Sequence, residues 1–366
     1  MAAPVTVFLS GDVMLGRGVD QILPHPGDPG LRESVVRDAR DYVGLAERSS
    51  GSVPAPVGFA WPWGAALEEL EAAAPDARVV NVETAVTRGG DFAPGKAVHY
   101  RMDPANLPCL SAVRPDVCVL ANNHVLDFGR RGLADTLAAL EGAGLRAAGA
   151  GHHAAQARRP AAVPLPGGGR LLVFSLGAAS SGVPPDWAAA GDRPGVDFLP
   201  GLGAASAAEL ADRIGRAKRP GDVAVASIHW GSNWGYGVEP GMRRFARALI
   251  DGGADIVHGH SSHHPRPLES YRGGLVLYGC GDLVNDYEGI PGYEAYRPGL
   301  RLLHLAVVEP GRGAAALRMV VLRARRMRLE RAGTHEARWL QLTLDEASRG
   351  LGCRVRMAPD GALAAL

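Results

Sequence analysis

The chain has little of several things that would otherwise fix its class. Four cysteines occur in 366 residues, Cys109, Cys118, Cys280 and Cys353, far apart and without a CxxC pair. That spacing argues against a disulfide framework or a zinc knuckle. Cys118 and Cys280 lie in or beside apolar runs, where buried free thiols are ordinary, and all four read as structural. There is almost no net charge, +1 from 39 basic and 38 acidic residues. The balance gives no electrostatic reason to expect nucleic acid or an anionic membrane as partner. The locally basic stretch Arg323–Arg331 reads as a solvated strand edge. No stretch approaches the roughly 18 consecutive apolar residues of a membrane span. The opening MAAPVTVFLSGDVML has no basic region ahead of its apolar run and is broken at Asp12. It predicts neither a signal peptide nor an anchor, and hence a cytoplasmic protein. No internal repeat is visible.

What is present is a large apolar fraction, 46% hydrophobic against 21% charged, enough for one oversized domain or two ordinary ones. Short β-branched runs at Val5–Ser10, Ala77–Val82, Val117–Ala121, Val223–His229 and Ile256–His258 read as buried strands. Helical patterns near Trp63–Ala73, Gly132–Ala143, Ala205–Ala217 and Arg243–Gly252 lie between them. Strands alternating with helices predict an α/β sheet with parallel portions. Leu275–Tyr278, Leu300–Val308 and Ala315–Leu322 follow one another without long helices and predict a second, mostly antiparallel sheet. The expectation is two packed β-sheets flanked by helices in a single domain over 1–366, with strands and a helix from about 300 to 366 completing the second sheet. The Pro/Gly-rich segments 23–30, 160–169 and 182–201 read as surface loops.

Five polar clusters share one placement: each falls at or just after the end of a predicted buried strand. They are Gly11-Asp12, Asn81-Val82-Glu83, Asn122-Asn123-His124 with Asp127, His229-Trp230-Gly231, and His258-Gly259-His260 with His263 and His264. In open α/β sheets ligands bind beyond the carboxyl ends of the strands, where the loops converge. Taken singly, Asp12 could cap a helix, the asparagines could make a turn, and each histidine could be a hydrogen-bonded core residue. Together they hold six of the 12 histidines, and burying that many ionisable groups costs several kcal/mol each unless they are paired or metal-bound. Carboxylate and amide oxygens beside imidazoles suit a divalent cation: manganese, zinc, iron, magnesium or calcium. With no thiolate in the set, a structural zinc site is disfavoured.

The ordered motifs GDVMLGR, NVET, ANNHVLDFG, HWG and GHSSHHP, over roughly residues 5–310, resemble the CapA, or poly-γ-glutamate capsule, branch of the calcineurin-like metallophosphoesterases. The resemblance implies a double-sheet sandwich with one or two metals at its edge. It puts Glu83 in the place of the bridging carboxylate, with Asn123, His229 and His260 as further ligands of one metal. Asp12 and His263 match ligands of a second. His124 matches the histidine that protonates a leaving group, with Asp127 orienting it. Two positions depart from ordinary phosphoesterases: Met14 stands where a histidine is usual and Glu83 where an aspartate is. The second metal site is thereby reduced, which weakens a phosphatase reading. The segment GHSSHHPRPLESYRGGLVLYGCGDLVNDYEG adds His264, Asp282, Asn285 and Asp286 to the same rim.

Acid/base groups around one ion fit proton transfer next to a carbonyl, and imidazoles suit both roles. The family resemblance extends to a cytoplasmic offshoot that epimerises a residue of a ribosomally made, lasso-type peptide. The leading expectation is therefore a metal-dependent peptide epimerase using Asp12 with His263 and His124 with Asp127. Arg17, Lys96 and Arg101 either hold a carboxylate of the peptide substrate or are solvated surface cations. A phosphoester hydrolase and a non-catalytic polymer-binding module are the alternatives.

Overall fold

Val5–Val13 (β1) is mainly apolar up to Leu9 because both of its faces are covered, the usual pattern of a strand in the middle of a two-faced sheet. The computed structural model describes residues 3–288 and 292–366. The first two residues of the opening segment, and Gly289 at the end of the histidine-rich segment, lie outside them. β1 pairs in parallel with Ala77–Val82 (β2), and β2 with Val117–Val119 (β3). The helices Ala65–Ala73 (α1) and Gly129–Gly142 (α2) pack against this sheet, which runs on to Arg146–Ala148 (β4). The second sheet is built on Arg170–Ala178 (β5), Val223–His229 (β6), Ile256–His260 (β7) and Gly274–Leu277 (β9), all parallel. Leu268–Tyr271 (β8) is antiparallel at its edge. Ala204–Ala217 (α3) and Pro240–Asp251 (α4) cover its outer face.

Side-chain alternation assigns every central strand to two cores. Val7 and Leu9 of β1, Val79 of β2 and Val119 of β3 point inward and meet Val173 of β5, Val225 of β6 and Ile256 of β7 between the sheets. Phe8, Val80 and Cys118, one residue out of phase, face α1 and α2 through Leu70, Leu133 and Leu140. Phe174 and Ala226 face Ile214 of α3 and Phe245 of α4 in the same way. Each such Leu, Val or Phe contributes about 1.5–3 kcal/mol on burial, and the period of 2 locks the register. All four cysteines are free and buried, as the sequence predicts.

Three expectations are corrected. The strands after residue 300 do not assemble a sheet with Leu275–Tyr278. Asp282–Val284 (β10) pairs in parallel with the end of β1, Leu300–Glu309 (β11) pairs antiparallel with β1, and Gly313–Arg325 (β12) pairs with β11. They extend the first sheet, while Gly274–Leu277 joins the other. The reason is that β11 is long and apolar on both faces, so the free edge of β1 is the site that buries it. Secondly, segment 160–169 is not all loop, since Ala161–Pro164 is an edge strand on β5. Thirdly, segment 182–201 carries buried Val183 and Trp187 and the short strands Gly195–Val196 and Phe198–Leu199. The basic stretch Arg323–Arg331 turns as a hairpin into Arg328–Arg331 (β13), and its arginines pair with Glu330, Glu336 and Glu69. The chain closes with Thr334–Ala347 (α5), Val355–Met357 (β14) and Leu363–Ala365 (β15), the two strands completing the first sheet. No described helix is long and apolar enough to cross a membrane.

Because β1, β2, β3, β6 and β7 are parallel within their sheets, their carboxyl ends open on one edge of the sandwich. Two close approaches hold that edge together. A Cβ on Gly11 would lie 2.0 Å from the Gly281 carbonyl oxygen, and one on Gly259 would lie 2.6 Å from the Leu277 oxygen and the Trp230 indole nitrogen. Only glycine fits either place. Pairing of β1 with β2 also slips between Leu9 and Asp12, and Ser10 Oγ accepts the Asn81 amide there at 2.9 Å. Bulges of this kind re-aim a side chain next to a site. Here the side chain is Asp12, which the bulge turns toward β2.

Candidate metal centre

Asp12 lies just past the bulge, fully buried. Its Oδ1 accepts from Asn81 Nδ2 at 2.7 Å and its Oδ2 from the Ser261 amide at 3.1 Å. Asn122 Nδ2 in turn donates to Asn81 Oδ1 at 3.1 Å and to the Val82 carbonyl at 2.8 Å. This amide chain ties the ends of β1, β2 and β3 together and fixes the Asp12 rotamer. Glu83 follows β2 and shares a hydrogen bond with Asp12. Its Oε1 lies 3.6 Å from His229 Nε2 and 3.8 Å from His124 Nε2. Burial above all, and then the neighbouring Asp12, pushes the Glu83 carboxyl up. Asp12 is raised in the same way by burial and by Asp282. Two carboxyls in one dry place cannot both ionise without a cation.

His229 and His260 are register partners at the ends of β6 and β7. Their Nδ1 atoms are 2.7 Å apart, and His229 Nε2 is 3.0 Å from Asn123 Oδ1. His260 Nε2 contacts Ser227 Oγ at 3.0 Å, which leaves Nδ1 turned to the cluster. Burial pushes both imidazoles well below their ordinary range, so they are neutral, the form that binds metals. Single ligand atoms of Asp12, His229 and His260 fall within 4.8 Å of one another. Glu83 Oε2 is buried with no hydrogen-bond partner among the described residues. A buried acceptor left unpaired costs about 1–3 kcal/mol. Asp12, His229 and His260 therefore make a donor set that fits a divalent ion, with Glu83 Oε2 and Asn123 Oδ1 beside it.

Two further histidines flank this set. His124 Nδ1 is 2.6 Å from Asp127 Oδ2, which makes Nδ1 the protonated nitrogen and leaves the Nε2 lone pair toward Glu83. Burial lowers the His124 imidazole to about 4, with Asp127 opposing. Burial alone would raise Asp127, but His124 and Lys96 hold it below the ordinary range. His263 Nδ1 is 3.0 Å from Asp282 Oδ1, and Asn285 Nδ2 donates to Asp282 Oδ2 at 2.7 Å. Burial works against the charged imidazole, but Asp282 and Asp12 outweigh it and His263 is raised. His263 Nε2 lies 3.3 Å from Asn233 Nδ2. With Nδ1 committed to Asp282 and Met14 buried just past β1, fewer metal-binding groups surround His263 than surround His229.

The three candidate substrate cations separate. Lys96 reaches into the site, where its ammonium bonds Asp127 and the Asn123 carbonyl. Arg17 is not free to hold a substrate carboxylate: it is 2% exposed and its guanidinium is taken by Asp286, Glu33 and Tyr42. Arg101 is also engaged, pairing with Asp28 at 2.9 Å and lying over the Phe128 ring. Of the rim residues, Asp282 and Asn285 back His263 and Asp286 holds Arg17. His264 accepts from the Gly235 amide at 3.1 Å and packs against Tyr296, outside the cluster. His258 lies beneath it, bonded to Ser227 and to the Ser10 carbonyl. Sequence reasoning missed Ser227, whose signal was its place two residues before His229, on the same face of β6. It also missed Tyr100, whose amide donates to Asp127 Oδ2 at 2.7 Å. Nothing local marked it.

The fold and this arrangement agree with the sequence comparison. A family model described as bacterial capsule synthesis protein PGA_cap matches residues 6–287. The chain belongs to the PGA_cap family. It is 55% identical over 361 residues to a probable polyglutamine synthesis accessory protein of Mycobacterium tuberculosis, covering 98% of this chain and 95% of that one. It is 26% identical over 279 residues to the PGA biosynthesis protein CapA of Bacillus subtilis, 75% of this chain and 62% of the relative. The capsule biosynthesis protein CapA of Bacillus anthracis is 26% identical over 287 residues, 77% and 60% respectively. The PGA_cap match ends just past the last strand-end cluster and the Asp282–Asp286 rim, so every residue of the centre lies inside it.

Proposed function

We propose that this family member is a metal-dependent enzyme that moves a proton at the α-carbon of a residue in a glutamate- or glutamine-containing peptide or polymer. The names of the relatives support the substrate class. The observation that carries the reaction is the pair of separately braced imidazoles, His124 on Asp127 and His263 on Asp282. His124 Nε2 is 3.8 Å from Glu83 Oε1, and His263 acts electrostatically on the neighbouring carboxyl of Asp12. Their environments push them in opposite directions. His124 is a neutral base with its Nε2 lone pair toward Glu83, and His263, which Asp282 favours in its charged form, is the proton donor from Nε2. Groups driven apart in this way mark acid and base roles.

When bound by Asp12, Glu83, Asn123, His229 and His260, a divalent ion supplies Lewis-acid polarisation of a substrate carbonyl. Two imidazoles in the set favour manganese, iron or zinc over calcium and magnesium. His124 Nε2 takes the Cα proton, and Asp127 steadies the imidazolium that results. His263 Nε2 delivers a proton to the opposite face, and Asp282 with Asn285 keeps its ring in place. The carbon inverts and its composition is unchanged. Lys96, on Asp127, keeps that carboxylate ionised throughout.

A second reading, cleavage of the substrate chain, is favoured by the nearness of His124 Nε2 to Glu83, a place from which the neutral imidazole could deprotonate an attacking water. One experiment separates the two. Poly-γ-glutamate and short glutamyl peptides are incubated with the manganese-loaded protein in deuterated water and analysed by mass spectrometry and chiral amino-acid analysis. One deuterium per inverted residue, lost in His124→Asn and His263→Asn, is the expected result. Shorter fragments without deuterium uptake would support cleavage instead, and no change in either quantity would overturn both.

A further inference from the structure

Arg17 is a cation sealed in the protein behind the two flanking histidines, and its surroundings are more elaborate than a core ion pair requires. Asp286 accepts from Nε at 3.1 Å and from one terminal nitrogen at 2.6 Å. Glu33 accepts from the other at 2.8 Å. The guanidinium carbon lies 4.3 Å from the Tyr100 ring centre and 4.8 Å from that of Tyr287. The backbone of Arg17 has φ 49° and ψ −124°, a region disfavoured for a side-chain-bearing residue that persists where the surroundings over-determine it.

The two tyrosines reach different histidines. The Tyr100 ring stands edge-on to the His124 ring at 4.5 Å, and its amide shares Asp127 Oδ2 with that imidazole. The Tyr287 ring stands edge-on to His263 at 6.5 Å. The phenol oxygens are 2.8 Å apart, directly bridging the two sides. Arg17 thus lies under a continuous path of contacts from His124 through Tyr100 and Tyr287 to His263, bypassing the ligand set altogether.

We propose that Arg17 is a positioning residue that sets the spacing of His124 and His263 through the joined phenols of Tyr100 and Tyr287. A planar fork is needed for this. Arginine can bind Asp286 with two nitrogens, reach Glu33 with a third and still present its flat face to aromatic rings, whereas lysine offers one point charge. The inference rests on the proposed roles of the two histidines, but its test does not require turnover.

Protein labelled with ¹⁵N in histidine is observed without substrate by ring-nitrogen and ring-proton NMR. Signals of His124 and His263 are assigned from His124→Asn and His263→Asn. Tyr287→Phe removes only the hydroxyl and leaves the ring. It should shift the His124 signals as well as those of His263, and Tyr100→Phe should do the converse. Arg17→Lys should move both sets, with His304 and His152 unchanged. If each tyrosine variant moved only its own neighbour, or Arg17→Lys moved neither, the path would be disproved even for an active enzyme. In the deuterium assay, Arg17→Lys should lower kcat tenfold or more with KM within twofold. A purely structural residue would lower the melting temperature and leave kcat per folded molecule unchanged. Inactivity of the unaltered protein with intact NMR coupling would count against the reaction and not against the positioning role.

Discussion

At the residue scale, Glu83 carries the clearest consequence. In the metal-free protein its carboxyl and that of Asp12 are both raised, chiefly by burial. The folded state therefore holds protons that the unfolded chain releases, and stability falls as pH rises from the ordinary carboxylate range near about 4 toward neutrality. Glu83→Gln removes one of the two charges. It should stabilise the metal-free protein at pH 8 by about 1–2 kcal/mol, since one pKa unit corresponds to about 1.4 kcal/mol. The same change should weaken divalent-ion binding by at least about 10²-fold. Urea unfolding with and without manganese measures both effects. If Glu83→Gln destabilised the metal-free protein and left manganese affinity intact, Glu83 would be a structural residue and not a ligand. His124→Asn should leave manganese affinity within a few-fold but lower turnover by about 10²–10⁴, measurable by calorimetry and by the deuterium assay.

Within single elements, the strand ends were the legible part of the sequence. Asp12, Glu83, Asn123, His229 and His260 each follow an apolar run, and parallel pairing carries those ends to one edge. What was not legible depended on partners remote in sequence. Arg17 is held by Asp286, 269 positions away, and no local pattern distinguishes it from a surface arginine. β5 was overlooked because it ends in Gly177-Ala178 with no ionisable residue to draw attention to it, and because a Pro/Gly-rich stretch precedes it. The glycines at the strand ends can be tested directly. Gly259→Ala places a methyl against two carbonyl oxygens and an indole nitrogen, and should cost about 2 kcal/mol or more in denaturant stability. A cost below about 0.5 kcal/mol would show that the edge relaxes freely. On β11, His304 is buried with Nδ1 unpaired among the described residues, and burial with His258 nearby lowers it to about 3. It is neutral when folded and charges on unfolding below about 6.5, so its contribution is lost as pH falls from about 6.5 toward 3. His304→Leu should flatten that acid limb by up to about 1.4 kcal/mol per pH unit. An unchanged slope in pH-dependent unfolding would mean that His304 is already protonated in the folded protein.

For the whole molecule, the partition into two sheets was the part the sequence could not supply. Local pattern shows that Leu300–Val308 is a strand but not which edge is free to receive it, and β11 went to β1 because that edge buries both of its faces. The consequence is that strands from the two ends of the chain share one sheet, while the proposed metal ligands divide between the two sheets. Asp12, Glu83 and Asn123 come from one, His229 and His260 from the other. An ion at the edge would therefore clamp the sandwich. At a concentration 100 times its dissociation constant it adds about 2.7 kcal/mol to stability.

The most direct measurement is anomalous diffraction from crystals grown with manganese and recorded at the manganese edge. A strong peak should lie within coordination distance, about 2.0–2.4 Å, of Asp12, Glu83, Asn123, His229 and His260. A map with no peak between those side chains, or one centred elsewhere, would contradict the account.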